Sequence, residues 1–212
     1  MNAIRTAAEP TARRGLSVLQ AVVLILFCLA AYLPGIASLP PTDRDESRFV
    51  QATRQMAETG NYVDIHFQDQ TRYKKPIGIY WLQSAAVALS GDGASAPIWV
   101  YRLVSAAGAT LSVLGTAWLG ARLFGASAGL MAGIATASMF LIGFEGRIAK
   151  TDATLLSTVV FAQSALALIW LAAREKRQSG WAAPVVFWIA TAAGILIKGP
   201  VTPFVSLLTI LS

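Results

Sequence analysis

The sequence predicts an all-α polytopic transmembrane helical bundle, with amphipathic juxtamembrane helices in the first outer loop. Three observations carry this reading. Of 212 residues, 55% are hydrophobic and only 13% are charged, against roughly 25% charged in a soluble domain. Uncharged runs cover 15–42, 76–91, 103–121, 123–144, 153–173, 178–197 and 199–212, and several reach the roughly 20 residues a helix needs to cross a bilayer. The runs are apolar all round, whereas the strands of a membrane barrel alternate over about 10 residues. A water-soluble domain, a disordered chain and a disulfide scaffold are thereby excluded. Cys28 is the only cysteine, so no intrachain disulfide can form. A net charge of +6 in such a chain points to a bilayer surface or an anionic lipid, and no nucleic acid partner is expected.

Residues 1–15 are expected to form a cytoplasmic N-terminus carrying Arg5, Arg13 and Arg14, and residues 16–37 the first transmembrane helix. That apolar run exceeds the core of about 7–15 residues found in a cleaved signal. Residues 38–97 read as an outer loop with juxtamembrane helices and the catalytic motif. Within it, Thr42 to Thr59 predicts a surface helix: Thr42 with Asp45, and Asp43 with Glu46, have capping-box spacing, and Gly60 suits the stop. Phe49, Thr53, Met56 and Ala57 fall on one face of that helix. The apolar run Ile77–Ser90 is too short to span and suits an interfacial or re-entrant helix.

Residues 98–212 are expected to hold transmembrane helices two to six, over Ile98–Ala121, Leu123–Phe144, Ala153–Ala173 and Trp181–Ile197, with a last one from Val201 truncated at Ser212. This parity keeps Arg122 and the Arg174-Glu175-Lys176-Arg177 cluster inside with the N-terminal arginines, as the positive-inside rule favours. Segments 38–97 and 145–152, with Lys198, then lie outside. Nine of the eleven acids fall on that outer side.

Charges beside membrane spans are costly and mark sites by default. Four clusters qualify: Asp43-Arg44-Asp45-Glu46, Arg72-Tyr73-Lys74-Lys75-Pro76, Glu145 to Asp152, and Lys198-Gly199-Pro200. A carboxylate there can take a proton from an attacking hydroxyl, while lysine and arginine hold a phosphate leaving group. Each cluster also has an ordinary reading. Asp43 or Asp45 would serve as a helix cap, Lys74 and Lys75 as snorkelling anchors, Arg147, Lys150 and Asp152 as a solvated turn, and Lys198 as the end of a span. His66, the sole histidine, reads as loop packing rather than a metal ligand. What favours a site is that all four clusters fall on one side.

The order of these pieces resembles a known family. Thr42-Asp43-Arg44-Asp45-Glu46-Ser47-Arg48-Phe49, Met56 to Tyr62, and Tyr73-Lys74-Lys75-Pro76-Ile77-Gly78-Ile79-Tyr80-Trp81-Leu82 are similar to the first outer loop of the glycosyltransferases that include the protein O-mannosyltransferases and the bacterial lipid A aminoarabinose transferases. Arg147 to Asp152 and Ile197-Lys198-Gly199-Pro200 follow in the expected order.

The resemblance implies an inverting glycosyltransferase of the cytoplasmic (inner) membrane, its active site facing the periplasm. It implies transfer of a sugar from a polyprenyl-phosphate carrier to a lipid or protein acceptor. By the same resemblance Asp45 and Asp152 are the catalytic carboxylates, and Glu46, Arg48, Tyr73, Lys75, Arg147 and Lys198 bind substrate. A divalent metal is the one cofactor it raises. Many relatives carry an acid just before Lys-Pro, a proposed metal position, and Lys74 stands there in this chain. The family's chains are longer, so this sequence is expected to be a portion of one. The rival reading is a transporter or carrier-lipid flippase using the same charges as a substrate pathway.

Overall fold

The computed structural model describes residues 15–212. The cytoplasmic placement expected for Arg5, Arg13 and Arg14 lies outside the described residues. Helix α1 (Val18–Tyr32) opens on a capping box in which Ser17 and Gln20 satisfy each other's backbone donors. Leu24, Cys28 and Tyr32 recur every four residues on its buried face, while Val18, Leu19 and Leu26 point outward. That outward apolar surface is what a helix in lipid presents, because the bilayer replaces water as its solvent.

A turn over 33–39 leads into α2 (Arg44–Thr59). Asp43 is its N-cap and accepts the Asp45 N–H at 2.7 Å, and Gly60 closes it in the left-handed conformation at φ 69°. The reciprocal Glu46 bond of a capping box is replaced by a tertiary contact described below. Phe49, Thr53 and Met56 are buried along one stripe, and Phe49 packs on Tyr80 with ring centroids 5.5 Å apart. A two-residue hairpin, β1 (His66–Phe67) with β2 (Gln70–Thr71), pairs His66 with Thr71. Helix α3 (Gly78–Ser90) follows.

The bundle is built on α4 (Ile98–Phe124) and α7 (Asp152–Arg174), 27 and 23 residues long and apolar enough to cross a membrane. They approach closely at Gly108, where a β-carbon would stand 2.7 Å from the Thr154 Cα. Small residues at such crossings let backbones come together, the main source of helix association where lipid is as apolar as leucine. The remaining helices are α5 (Ala126–Ala137), α6 (Phe140–Glu145), α8 (Ala182–Lys198) and α9 (Val201–Leu211).

One expectation is corrected. The run 123–144 is not a single spanning helix. Helix α4 continues through Phe124, Gly125 turns the chain at φ 97°, and α5 ends at Ala137 before α6 begins at Phe140. The carbonyl left open at the second break accepts the Tyr32 hydroxyl at 3.2 Å. Apolar composition alone does not record a turn at glycine or a carbonyl satisfied from another helix. The described residues form an all-α transmembrane bundle in which α3 packs against α2, α4 and α8, and ion pairs join the start of α2 to the turn between the end of α6 and the start of α7.

Candidate active site

Where those helix ends meet, five charged groups from four elements converge. The Lys150 Nζ lies 3.0 Å from Asp43 Oδ2, 3.8 Å from Asp152 Oδ2 and 3.9 Å from Glu145 Oε1. Lys198, at the C-terminal end of α8, donates to the other oxygen of Asp152. Three of the five sit where a helix terminus favours their charge: Asp43 and Asp152 at the starts of α2 and α7, Lys198 at the end of α8.

The electrostatics follow from these contacts. The Asp45 N–H and then Lys150 hold the Asp43 carboxyl below its ordinary value. Burial pushes Glu145 up, and the pull of Lys150 does not offset it. Burial disfavours the charged Lys150, yet Asp43, Glu145 and Asp152 together raise its value above the ordinary one.

Beneath this cluster lies a second, fully buried ion pair. Glu46 is 0% and Arg102 1% exposed. The guanidinium donates through Nε to Glu46 Oε1 at 2.7 Å and through Nη2 to Oε2 at 3.1 Å. It also donates to the carbonyls of Ile36 and Leu39 at 2.7 and 2.8 Å, and Glu46 Oε1 accepts the Ala149 N–H at 2.9 Å. One pair thus ties together the chain after α1, the first turn of α2, α4 and the turn before α7. Sequence reasoning missed Arg102, although the signal was there: a lone arginine four residues into an apolar span.

The residues expected from sequence fall into five places. Asp152 and Lys198 meet directly in the five-membered cluster. Asp45 and Arg48 pair on α2 at 3.3 Å, with side chains 43% and 29% exposed. Asp45 also lies near Tyr80, whose phenol is raised first by burial, against the pull of Arg72, and further by this carboxylate. Tyr73 and Lys75 line a separate hollow of about 370 Å³ with Val63, Ile65, Lys74, Pro76 and Ile77. The Tyr73 hydroxyl donates to Asp64 at 3.1 Å. The Lys75-Pro76 entry leads to Gly78, whose Cα packs against the Leu196 backbone, two residues before Lys198. Arg147 donates to the Ala31 carbonyl and borders an apolar groove of about 350 Å³ lined by Phe27, Tyr32, Phe140 and Phe144. Glu46, expected to bind substrate, has both oxygens engaged in the buried pair.

The residues present do not fit a metal. Among the described residues, no group of three or more histidine, cysteine or acidic side chains is placed to hold a metal ion. The three carboxylates that approach one another do so around an ammonium, and the separate hollow is lined by two cations, Lys74 and Lys75, and no acid.

Comparison with known proteins places these features in context. A family model described as dolichyl-phosphate-mannose-protein mannosyltransferase matches residues 74–211. An undecaprenyl phosphate-alpha-4-amino-4-deoxy-L-arabinose arabinosyl transferase of Aeromonas salmonicida is 29% identical over 181 residues, 83% of this chain and 31% of that protein. Its namesake from Erwinia tasmaniensis is 29% identical over 184 residues, 84% of this chain and 32% of that one. The crystal structure of ArnT from Cupriavidus metallidurans bound to undecaprenyl phosphate shares the fold, with a TM-score of 0.74 and 23% identity over 92% of this chain and 34% of that one. The chain spans about a third of the length of the relatives it matches.

Proposed function

The chain belongs to the dolichyl-phosphate-mannose-protein mannosyltransferase family, and on that premise we propose that it carries donor-side machinery of a membrane glycosyltransferase. The donor is a sugar on a polyprenyl phosphate, and the acceptor a lipid or protein hydroxyl or phosphate at the periplasmic face of the inner membrane. In this reading the stretch 38–97 is the outer loop bearing the catalytic motif, and 98–212 supplies further membrane helices. The relatives' names favour undecaprenyl phosphate as carrier and aminoarabinose as sugar.

The chemistry is a single in-line displacement with inversion. The acceptor oxygen forms a bond to the anomeric carbon while the bond from that carbon to the carrier phosphate breaks. The acceptor proton passes to Asp45, which is exposed enough to be reached. Lys75 and Arg48 bind the carrier phosphate, with Lys198 and Arg147 adding positive charge as the phosphate leaves. Asp152, pinned by Lys198, is the second acid, and Tyr73 borders the donor hollow. The buried Glu46 acts through Arg102 to hold the loop that presents Asp45.

The observation that carries the proposal is the convergence of Asp43, Glu145, Lys150, Asp152 and Lys198 where the helix ends meet the loop holding Asp45. A transport pathway would place such groups within the bundle, near the middle of its helices. The test is transfer by the full-length protein from undecaprenyl-phosphate-linked aminoarabinose or hexose to lipid A. Asp45→Asn is expected to lower turnover by about 10²- to 10⁴-fold, the usual share of a general base. Wild-type turnover in a folded Asp45→Asn protein removes that role, and no transfer by the wild type removes the reading.

A further inference from the structure

We propose that Lys150 is a positioning residue for the transfer step, tying Asp152 to Asp43 so that the turn before α7 and the start of α2 share one frame. The inference rests on the glycosyl-transfer reading above. Every charged group that faces the Lys150 ammonium takes part: Asp43 from the start of α2, Glu145 from the end of α6 and Asp152 from the start of α7. Lys198, from the end of α8, stands on the far oxygen of Asp152.

Lys150 differs from a surface lysine in two ways. Its side chain is 17% exposed, and its backbone is bolted on both sides. The Lys150 N–H donates to Ser105 Oγ at 3.3 Å, and that hydroxyl donates to the Lys150 carbonyl at 3.1 Å. The preceding N–H, of Ala149, is held by Glu46. With its stem so fixed, little freedom remains to be lost when the ammonium meets its carboxylates.

Two consequences follow for the reacting groups. The oxygens of Asp152 face lysines from two different elements, one each, which sets the plane of that carboxylate. Asp43 is the N-cap of α2 and lies two residues before Asp45. The lysine therefore reaches the proposed proton acceptor through the cap of its helix, without touching substrate. Three carboxylates this close repel one another, and without Lys150 the single remaining lysine touches only one of them.

The test uses the full-length protein and the same transfer assay, comparing Lys150→Met and Lys150→Arg with the wild type across pH 5–9 (a range chosen to be about two units either side of neutral). Folded Lys150→Met is expected to lose turnover on the order of ten- to a hundredfold, as a misplaced reacting group does, with the KM for the carrier little changed. Its acid limb is expected to move up, because Asp43, whose ionised carboxyl caps α2, is no longer held down by Lys150. Lys150→Arg is expected to restore the acid limb and most of the turnover. Wild-type turnover and profile in Lys150→Met overturns the inference. So does a loss with no shift of the limb and no rescue by arginine, which marks a purely structural lysine. If Lys150→Met does not fold, Asp43→Asn asks the same question from the other end of the bond, and an unchanged turnover there overturns the inference. A wild type that transfers no sugar overturns the functional reading, and this inference with it.

Discussion

The guanidinium of Arg102 grips the carboxylate of Glu46 with two parallel bonds, 2.7 and 3.1 Å long, at a point where neither side chain meets solvent. Two more carbonyls, of Ile36 and Leu39, occupy the other side of the fork. Arginine suits this place because its rigid fork satisfies a carboxylate and several carbonyls together, which a lysine ammonium cannot do. The pair is the joint between the polar loop and the membrane bundle.

Breaking that joint from one side leaves a buried charge without its partner. Arg102→Met and Glu46→Gln are each expected to destabilise the protein by about 3–5 kcal/mol. The double variant is expected to lose less than the sum of the two. Thermal unfolding of the full-length protein in detergent measures all three, and simple additivity counts against a direct pair.

Lys75 predicts a different signature. It is half-buried in the hollow beside Tyr73, whose lining includes none of the five clustered charges. Lys75→Met is expected to raise the KM for the polyprenyl-phosphate donor about tenfold, the worth of about 1.4 kcal/mol of binding, and to leave the KM for acceptor unchanged. A rise in the acceptor KM alone would place Lys75 on the other substrate.

The two shifted carboxyls give stability a defined pH dependence. Glu145 is pushed above its ordinary 4.5 by burial, so the fold binds its proton more tightly than the unfolded chain does. Stability from this group therefore falls as pH rises from about 4.5 through its folded value. Asp43 has the opposite sign: held below 3.8, it contributes fully above that pH and loses its contribution as pH falls through its folded value. Glu145→Gln is expected to match the wild type near pH 4.5 and to exceed its melting temperature increasingly as pH rises through the folded value of Glu145. A melting difference that stays constant with pH overturns this assignment.

Gly108 tests the helix crossing beneath the site. A β-carbon there would stand 2.7 Å from the Thr154 Cα and 2.8 Å from its backbone nitrogen, neither of which can turn aside. Gly108→Leu is expected to cost about 1–3 kcal/mol and, because Asp152 lies two residues before Thr154, to lower transfer as well. Thermal unfolding and turnover measured on the same preparation separate the two losses.

Class and local structure were legible in the chain because both depend on neighbours in sequence. Scarce charges and long apolar runs determine a helical membrane protein, whatever the packing, since lipid accepts no unpaired backbone. The stop at Gly60 and the buried stripe of Phe49, Thr53 and Met56 in α2 were readable for the same reason, being spaced three to four residues apart or adjacent. The four charged clusters were visible too, and Asp152 and Lys198 do meet. Which residue performs which task was decided only by the tertiary structure. Glu46 reads in sequence as a site residue, yet Arg102, 56 residues away, takes both its oxygens into the interior. Lys150 reads as a solvated turn, yet Asp43, 107 residues away, draws it into the centre of the cluster. An ion pair needs contact within about 4 Å and has no periodicity along the chain. The partners are therefore named only when α2, α4 and α7 have packed.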